Sequence, residues 1–196
     1  EELSPAFIQE REILFKLRYG IPAFSQAKFE IGYSVGRISD WYMQSYLSNI
    51  TRANFDRSYY DLSNFSLRLE KNNLNYRQYP TGGSHYYLLC QYLLGEENYS
   101  YPDSVGNRFK ESKELGYFQA SAAYEGYLNF NKSITLGCIL NAVYNNKRSL
   151  DNYTASIIQA PAFTPTPYTL STFNEAFRSN KYAAIGIMPI WTIRPF

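Results

Sequence analysis

The sequence predicts an all-β fold, an antiparallel transmembrane β-barrel or a large part of one, spanning residues 1–196 as one domain or segment. Three observations carry the prediction. Apolar and polar residues alternate with period two where a helix would repeat every three to four residues. Several alternating runs exceed the five or six residues usual for globular strands. The apolar phase is lined by small and medium side chains with aromatics at the ends, as where a strand crosses a bilayer between its two interfaces.

The first run covers Glu12–Tyr19, with Ile13, Phe15, Leu17 and Tyr19 in one phase and Glu12, Lys16 and Arg18 in the other. Gly20, Pro22 and Ser25-Gln26 supply a turn. From Lys28 to Val35 the alternation resumes through Phe29, Ile31, Tyr33 and Val35, so the two runs read as a hairpin. Weaker strands are expected at Tyr59–Glu70 and Leu74–Tyr79, and a clear one at His85–Leu94. In the strongest hairpin, Phe118, Ala120, Ala122, Tyr124, Leu128 and Phe130 alternate with Gln119, Ser121, Glu125 and Asn129. After a turn at Asn131-Lys132-Ser133, Ile134, Leu136, Cys138 and Leu140 alternate with Thr135, Asn141 and Asn145. A last run, Tyr182–Ile193, places Ile185, Ile187 and Trp191 in one phase. Between the runs lie stretches read as polar or Pro-rich loops: Ser45–Asp56, Gly95–Lys113, Asn145–Tyr153 and Ala160–Pro167. At about 20 residues per strand and connection, nine or ten strands are expected.

Composition fits this reading and removes others. Lys and Arg number 19 against 17 Asp and Glu, a net charge of +2 that gives no nucleic-acid footprint. Aromatics reach 18%, with 20 Tyr and 13 Phe, which excludes a disordered chain or a coiled coil. No run approaches the roughly 20 apolar residues of a membrane helix. A closed sheet needs no such run, because it satisfies every backbone group in lipid while its lumen stays polar. On this reading the lipid-facing set is Phe118, Ala120, Ala122, Tyr124, Leu128, Phe130, Ile134, Leu136, Cys138, Leu140, Ile185, Ile187 and Trp191. The lumen-facing set is Gln119, Ser121, Glu125, Asn129, Asn141 and Asn145. Arg11, Lys16, Arg18, Arg37 and Arg68 are further lumen candidates, with Glu12, Glu30 and Glu70 as facing acids. The expected partners are outer-membrane lipids and, during insertion, the barrel-assembly machinery, at the bacterial outer membrane. Periodicity alone leaves open a soluble or periplasmic β-barrel that binds a small apolar ligand inside.

The motifs for chemistry are weak. Gly32-Tyr33-Ser34-Val35-Gly36 spells the G-x-S-x-G nucleophile elbow, with His85 as the sole histidine and Asp40, Asp56 or Asp61 as acids. The pentapeptide sits inside an alternating run, so Ser34 reads as a strand residue and no catalytic residue is assigned. Thr81-Gly82-Gly83 lacks the Lys-Ser or Lys-Thr of a phosphate loop and reads as a turn. Glu96-Glu97 reads as a solvated loop pair. Five N-x-S/T sequons, at Asn49, Asn64, Asn98, Asn131 and Asn152, carry no inference in so Asn-rich a chain. Cys90 and Cys138 read as two small apolar side chains, with one bridge between them as the alternative, and neither a metal site nor a cofactor is expected.

Two stretches look familiar. Gln159-Ala160-Pro161-Ala162-Phe163-Thr164-Pro165-Thr166-Pro167 and Phe173–Tyr182, with Arg77-Gln78-Tyr79-Pro80 and Asn152-Tyr153-Thr154, resemble the C-terminal region of Bacteroidetes-type patatin-like phospholipase family proteins. Members join a patatin-type lipid acyl hydrolase domain to an outer-membrane barrel of the bacterial surface antigen (Omp85) class. The resemblance implies that this stretch is barrel and that the Ser-Asp dyad lies upstream of Glu1. The patatin acid sits in D-G-[GA], and this chain contains no Asp-Gly. Ser34 therefore does not inherit the nucleophile's role. The start at Glu1–Pro5, without Met or a leader, and the poor terminal β-signal at Ile190–Phe196 lead to the expectation of a piece of a longer protein.

Overall fold

The computed structural model describes residues 7–43, 55–76, 80–102, 108–131, 133–148, 150, 153–164 and 173–191. It is all-β in its main body. Seven strands, β1 (Phe7–Pro22), β2 (Lys28–Met43), β3 (Asp56–Asn72), β4 (Gly83–Pro102), β5 (Arg108–Asn129), β6 (Ile134–Asn145) and β7 (Lys181–Trp191), form one antiparallel sheet in sequence order. Among the described residues the sheet is not closed into a barrel: β1 pairs with β2 alone, and β7 with β6 alone. Among the described residues there are seven strands where nine or ten were expected for the chain; they run from 11 to 22 residues and take up segments read as loops.

Turn chemistry explains one end of the sheet. In a 3-10 turn at Phe24–Gln26, Ser25 (φ 51°) and Gln26 (φ 65°) occupy the left-handed region while Ala23 N–H donates to Ala27 O at 2.7 Å. Between β3 and β4, Asn75 Oδ1 accepts from the N–H groups of Thr81 and Gly82, both at 3.1 Å, and Gly83 supplies φ 91°. Thr81-Gly82-Gly83 is thus part of a turn, as its sequence implied. The expected strand at Leu74–Tyr79 does not form at residues 74–76, and residues 77–79 lie outside the described residues. Between β5 and β6, Asn131 Oδ1 accepts from Ser133 N–H at 2.9 Å and Ile134 N–H at 2.8 Å.

The pleat sorts side chains into two faces, and the register keeps each phase together from strand to strand. One face carries Ile13, Phe15, Leu17, Tyr19, Tyr33, Phe65, Leu88, Tyr92, Leu128, Leu140, Ile185, Ile187 and Trp191, all exposed. The opposite face is polar in its middle and buried toward one end. There the β6–β7 connection folds back, and Ile38, Tyr42, Tyr60, Tyr99 and Leu115 of the sheet pack with its Leu150, Ala155 and Ile158. A short helix, α1 (Tyr153–Ile158), lies in this connection.

The strands are also staggered. The cross-strand row through Tyr19, near the turn end of β1, runs through Ile31, Leu67, Cys90, Ala120 and Tyr144 to Lys181, the first residue of β7. Such a stagger is what strands tilted against a barrel axis produce.

Candidate functional site

The polar face of the sheet contains two constellations. The first is a charge ladder over β2–β4. Glu30 lies 2.5 Å from Lys28 Nζ and 4.0 Å from Arg68 Nε, while Glu70 lies 3.1 Å from the Arg68 guanidinium and 2.9 Å from His85 Nε2. Cross-strand register places these groups: Lys28 opposes Glu70, and Glu30 opposes Arg68. The Arg68 guanidinium also lies 5.0 Å from the centre of the Tyr87 ring. Beside the ladder is a cavity of about 200 Å³ whose walls include Lys16, Arg18, Glu30, Ser34, Asn64 and Arg68.

The second constellation lies under the β6–β7 connection, beyond the apolar stretches of the strands. Asp40 and Glu97 are fully buried there. Gln159 Nε2 donates to Asp40 Oδ2 at 2.7 Å, joining the connection to β2. Lys147 Nζ lies 5.7 Å from the centre of the Tyr60 ring and 5.4 Å from that of Tyr117. Burial raises the Asp40 carboxyl to about 6, the Gln159 hydrogen bond opposing it, and lowers the Lys147 ammonium to about 8, with Glu97 and Asp40 opposing. Arg178 donates to the carbonyls of Ile158 and Ala160, holding α1 to the chain that leads into β7. Tyr153 Oη donates to Glu175 at 2.7 Å.

Each sequence candidate takes a definite place. Lys16, Arg18 and Arg68, with Glu12, Glu30 and Glu70, share the polar face, whereas Arg11 and Arg37 stand in the opposite phase. Arg37 instead makes a bidentate pair with Asp61, at 2.6 and 2.8 Å. Asp61 opposes Glu96, and Glu96 opposes Glu114, so a charged row crosses the outer ends of the apolar stretches. Glu96 and Glu97 are strand residues of β4, not a solvated loop pair, and Gly95–Lys113 is strand at both ends. Ser112 Oγ donates to Glu96.

The hydrolase constellation does not assemble. Ser34 sits mid-strand between Lys16 and Asn64, His85 bonds Glu70, Asp61 bonds Arg37 and Asp40 bonds Gln159. The glycines of the elbow-like pentapeptide have packing reasons instead. A Cβ on Gly36 would fall 2.1 Å from Ile13 O, and one on Gly32 would fall 2.5 Å from Ser66 Oγ.

Phe118, Ala120, Ala122, Tyr124, Leu128, Ile134, Leu136, Cys138, Leu140, Ile185, Ile187 and Trp191 lie in one phase of the sheet. Gln119, Ser121, Glu125, Asn129, Asn141 and Asn145 lie in the other. Phe130 stands exposed in the turn after β5. Cys90 and Cys138 are free thiols in the apolar phase, and no metal-binding group of side chains occurs among the described residues. Asn49 and Asn152 lie outside the described residues. Sequence reasoning named Asp40 only as a candidate acid for Ser34 and missed its buried meeting with Gln159 and Lys147, because it read Asn145–Tyr153 and Ala160–Pro167 as loops. The apolar Leu150, Ala155 and Ile158 of the β6–β7 connection were the available signal.

No family model, curated protein or solved structure matches the chain.

Proposed function

We propose that this chain forms an outer-membrane β-barrel, or a large part of one, that anchors or presents a patatin-like lipid acyl hydrolase domain. The observation that carries the membrane part is the apolar phase, exposed on every strand and ending in the Arg37–Asp61–Glu96–Glu114 row. A contiguous apolar surface of this extent is costly in water and calls for a covering phase, and lipid supplies one. The buried groups lie on the polar face, where the β6–β7 connection packs, which supports reading that face as the interior one. The long register stagger fits the tilt of barrel strands. No helix among the described residues is long and apolar enough to cross a membrane, which says nothing of crossing by strands. The hydrolase part rests on the sequence resemblance at Gln159–Tyr182 and its companion stretches. Outer-membrane lipids and the barrel-assembly machinery are the partners this reading implies.

Cys90 provides the test, since it is exposed in the apolar phase between Leu67 and Ala120. A fluorophore on Cys90, with Cys138→Ala as background, is expected to be quenched by lipids brominated at mid-chain when the protein is inserted into vesicles. Absence of quenching, or a monodisperse chain in detergent-free buffer, would favour the soluble ligand-binding barrel. Sequencing the coding region upstream tests the hydrolase part: a G-x-S-x-G followed by D-G-[GA] is expected, and its absence removes that part alone.

A further inference from the structure

We infer that the polar face of β1–β3 holds an oxyanion-binding site, in which Lys16, Arg18 and Arg68 receive a phosphate or carboxylate group. The cavity beside the charge ladder is walled by three cations, Lys16, Arg18 and Arg68, against one carboxylate, Glu30. Glu30 is already engaged by Lys28 at 2.5 Å. No ion pair joins Lys16 or Arg18 to an acid among the described residues, so neither ammonium nor guanidinium is held by a direct carboxylate contact at the cavity wall.

Arg68 adds a directed donor. Its terminal nitrogen binds Glu70 at 3.1 Å, but its Nε is buried with no hydrogen-bond acceptor, 4.0 Å from Glu30. A buried guanidinium N–H without an acceptor is costly, and an oxyanion in the cavity would satisfy it with a charge-assisted bond. Asn64, four residues before Arg68 on β3 and in the same phase, also lines the cavity. Its amide donates to Gln91 at 3.4 Å while its Oδ1 is buried without a donor. A hydrogen phosphate, or an anion bearing a neighbouring hydroxyl, presents both an acceptor for Arg68 and a donor for Asn64. Gly32 keeps the floor of the cavity open, since a Cβ there would lie 2.5 Å from Ser66 Oγ and 3.5 Å from Arg18 Cγ. Ser34 and Ser66 add hydroxyls to the walls.

The inference stands on the groove and not on the membrane reading. Its test uses the full folded chain, in micelles or in buffer according to the outcome of the Cys90 measurement. Inorganic phosphate, followed by phosphorus NMR, is expected to bind saturably. Lys16→Gln and Arg18→Gln should each weaken binding about tenfold or more, the loss of a charge-assisted contact. Arg11→Gln removes the same charge from the same strand in the opposite phase and should leave binding unchanged. Dodecyl phosphate distinguishes the source of the anion: binding of it alone, with the same dependence on Arg18, identifies a lipid headgroup. Binding of neither probe, or equal losses in Arg11→Gln and Arg18→Gln, overturns the site.

Discussion

Gln159 reaches Asp40 across 119 positions of sequence, its side-chain amide 2.7 Å from the carboxylate. This contact joins the β6–β7 connection to β2 at a point where Asp40 is fully buried. Around the carboxylate stand Glu10 and Glu12 from β1 and Lys147 from the connection. Glu97 of β4 faces Lys147.

The docking of the connection is therefore expected to depend on pH, with opposite signs for the two buried charges. Asp40 titrates near 6 in place against an ordinary 3.8, so its contribution is fully present below about 4 and lost as pH rises through 6. Lys147 titrates near 8 against an ordinary 10.5, so its contribution is present above that value and lost as pH falls through 8. Docking is weakest between pH 6 and 8. The Asp40 part amounts to at most about 3 kcal/mol, since its carboxyl rises from 3.8 to about 6. Hydrogen exchange at the amides of α1 should be slower at pH 5 than at pH 7, and Asp40→Asn should flatten that limb. A wild-type exchange profile that is level after correction for intrinsic rates would refute the linkage.

Charges introduced into the apolar phase separate the two faces. Leu140 opposes Tyr124 and Ile185, well inside the apolar phase, whereas Leu128 lies toward the turn end of β5. Leu140→Arg should cost about 2–4 kcal/mol in vesicle unfolding, and Leu128→Arg less as it nears the interface. Leu136→Arg, opposite Leu128, should resemble the latter. Glu125→Ala, in the other phase, should cost much less than Leu140→Arg. Equal effects at Leu140 and Glu125 would undo the assignment of faces.

Gly36 should be intolerant for a reason unrelated to catalysis. A Cβ there collides with Ile13 O at 2.1 Å and with the Leu14 Cα at 2.8 Å, both of them backbone atoms. Gly36→Ala is expected to lower stability by on the order of 1–3 kcal/mol, read as a shift of the urea midpoint. Ser34→Ala should shift it little. The chain itself should show no esterase activity, and activity lost in Ser34→Ala would revive the hydrolase constellation.

Asn131 ends β5 through its side chain. Asn131→Ala removes two acceptances, from Ser133 N–H and Ile134 N–H, and should cost about 1–2 kcal/mol. Asn131→Asp keeps an acceptor oxygen and should retain most of the stability. Chemical unfolding of the two variants side by side distinguishes a turn role from one of mere polarity.

The strands were legible wherever one phase is apolar and the other polar, as from Phe118 to Leu140. They became illegible where both phases turn polar. In β4 and β5 the backbone ladder continues past Glu96 and Glu114, so Gly95–Lys113 reads as loop although Glu97 opposes Lys113 and Tyr99 opposes Glu111. Leu74–Tyr79 alternates, yet Asn75 uses its side chain to cap Thr81 and Gly82 and turns the chain at residues 73–76. The faces of Arg11 and Arg37 follow from residue parity once the register is known, since each shares its phase with Ile13 or Val35. The buried cluster was hidden for a different reason: Asp40 and Gln159 meet only through tertiary folding, and no local period marks such a pair.

The stagger of the strands makes the sheet resemble the thread of a screw. A path that follows hydrogen-bonded partners from Tyr19 through Cys90 to Lys181 climbs from the turn end of the sheet to the end covered by the β6–β7 connection. Probes at Tyr19, Cys90, Tyr144 and Lys181 would therefore sit at successive heights although each is one rung's neighbour of the next in register or a few strands away. Lateral distance around the sheet is converted into height along it, so a single row serves as a ruler for depth.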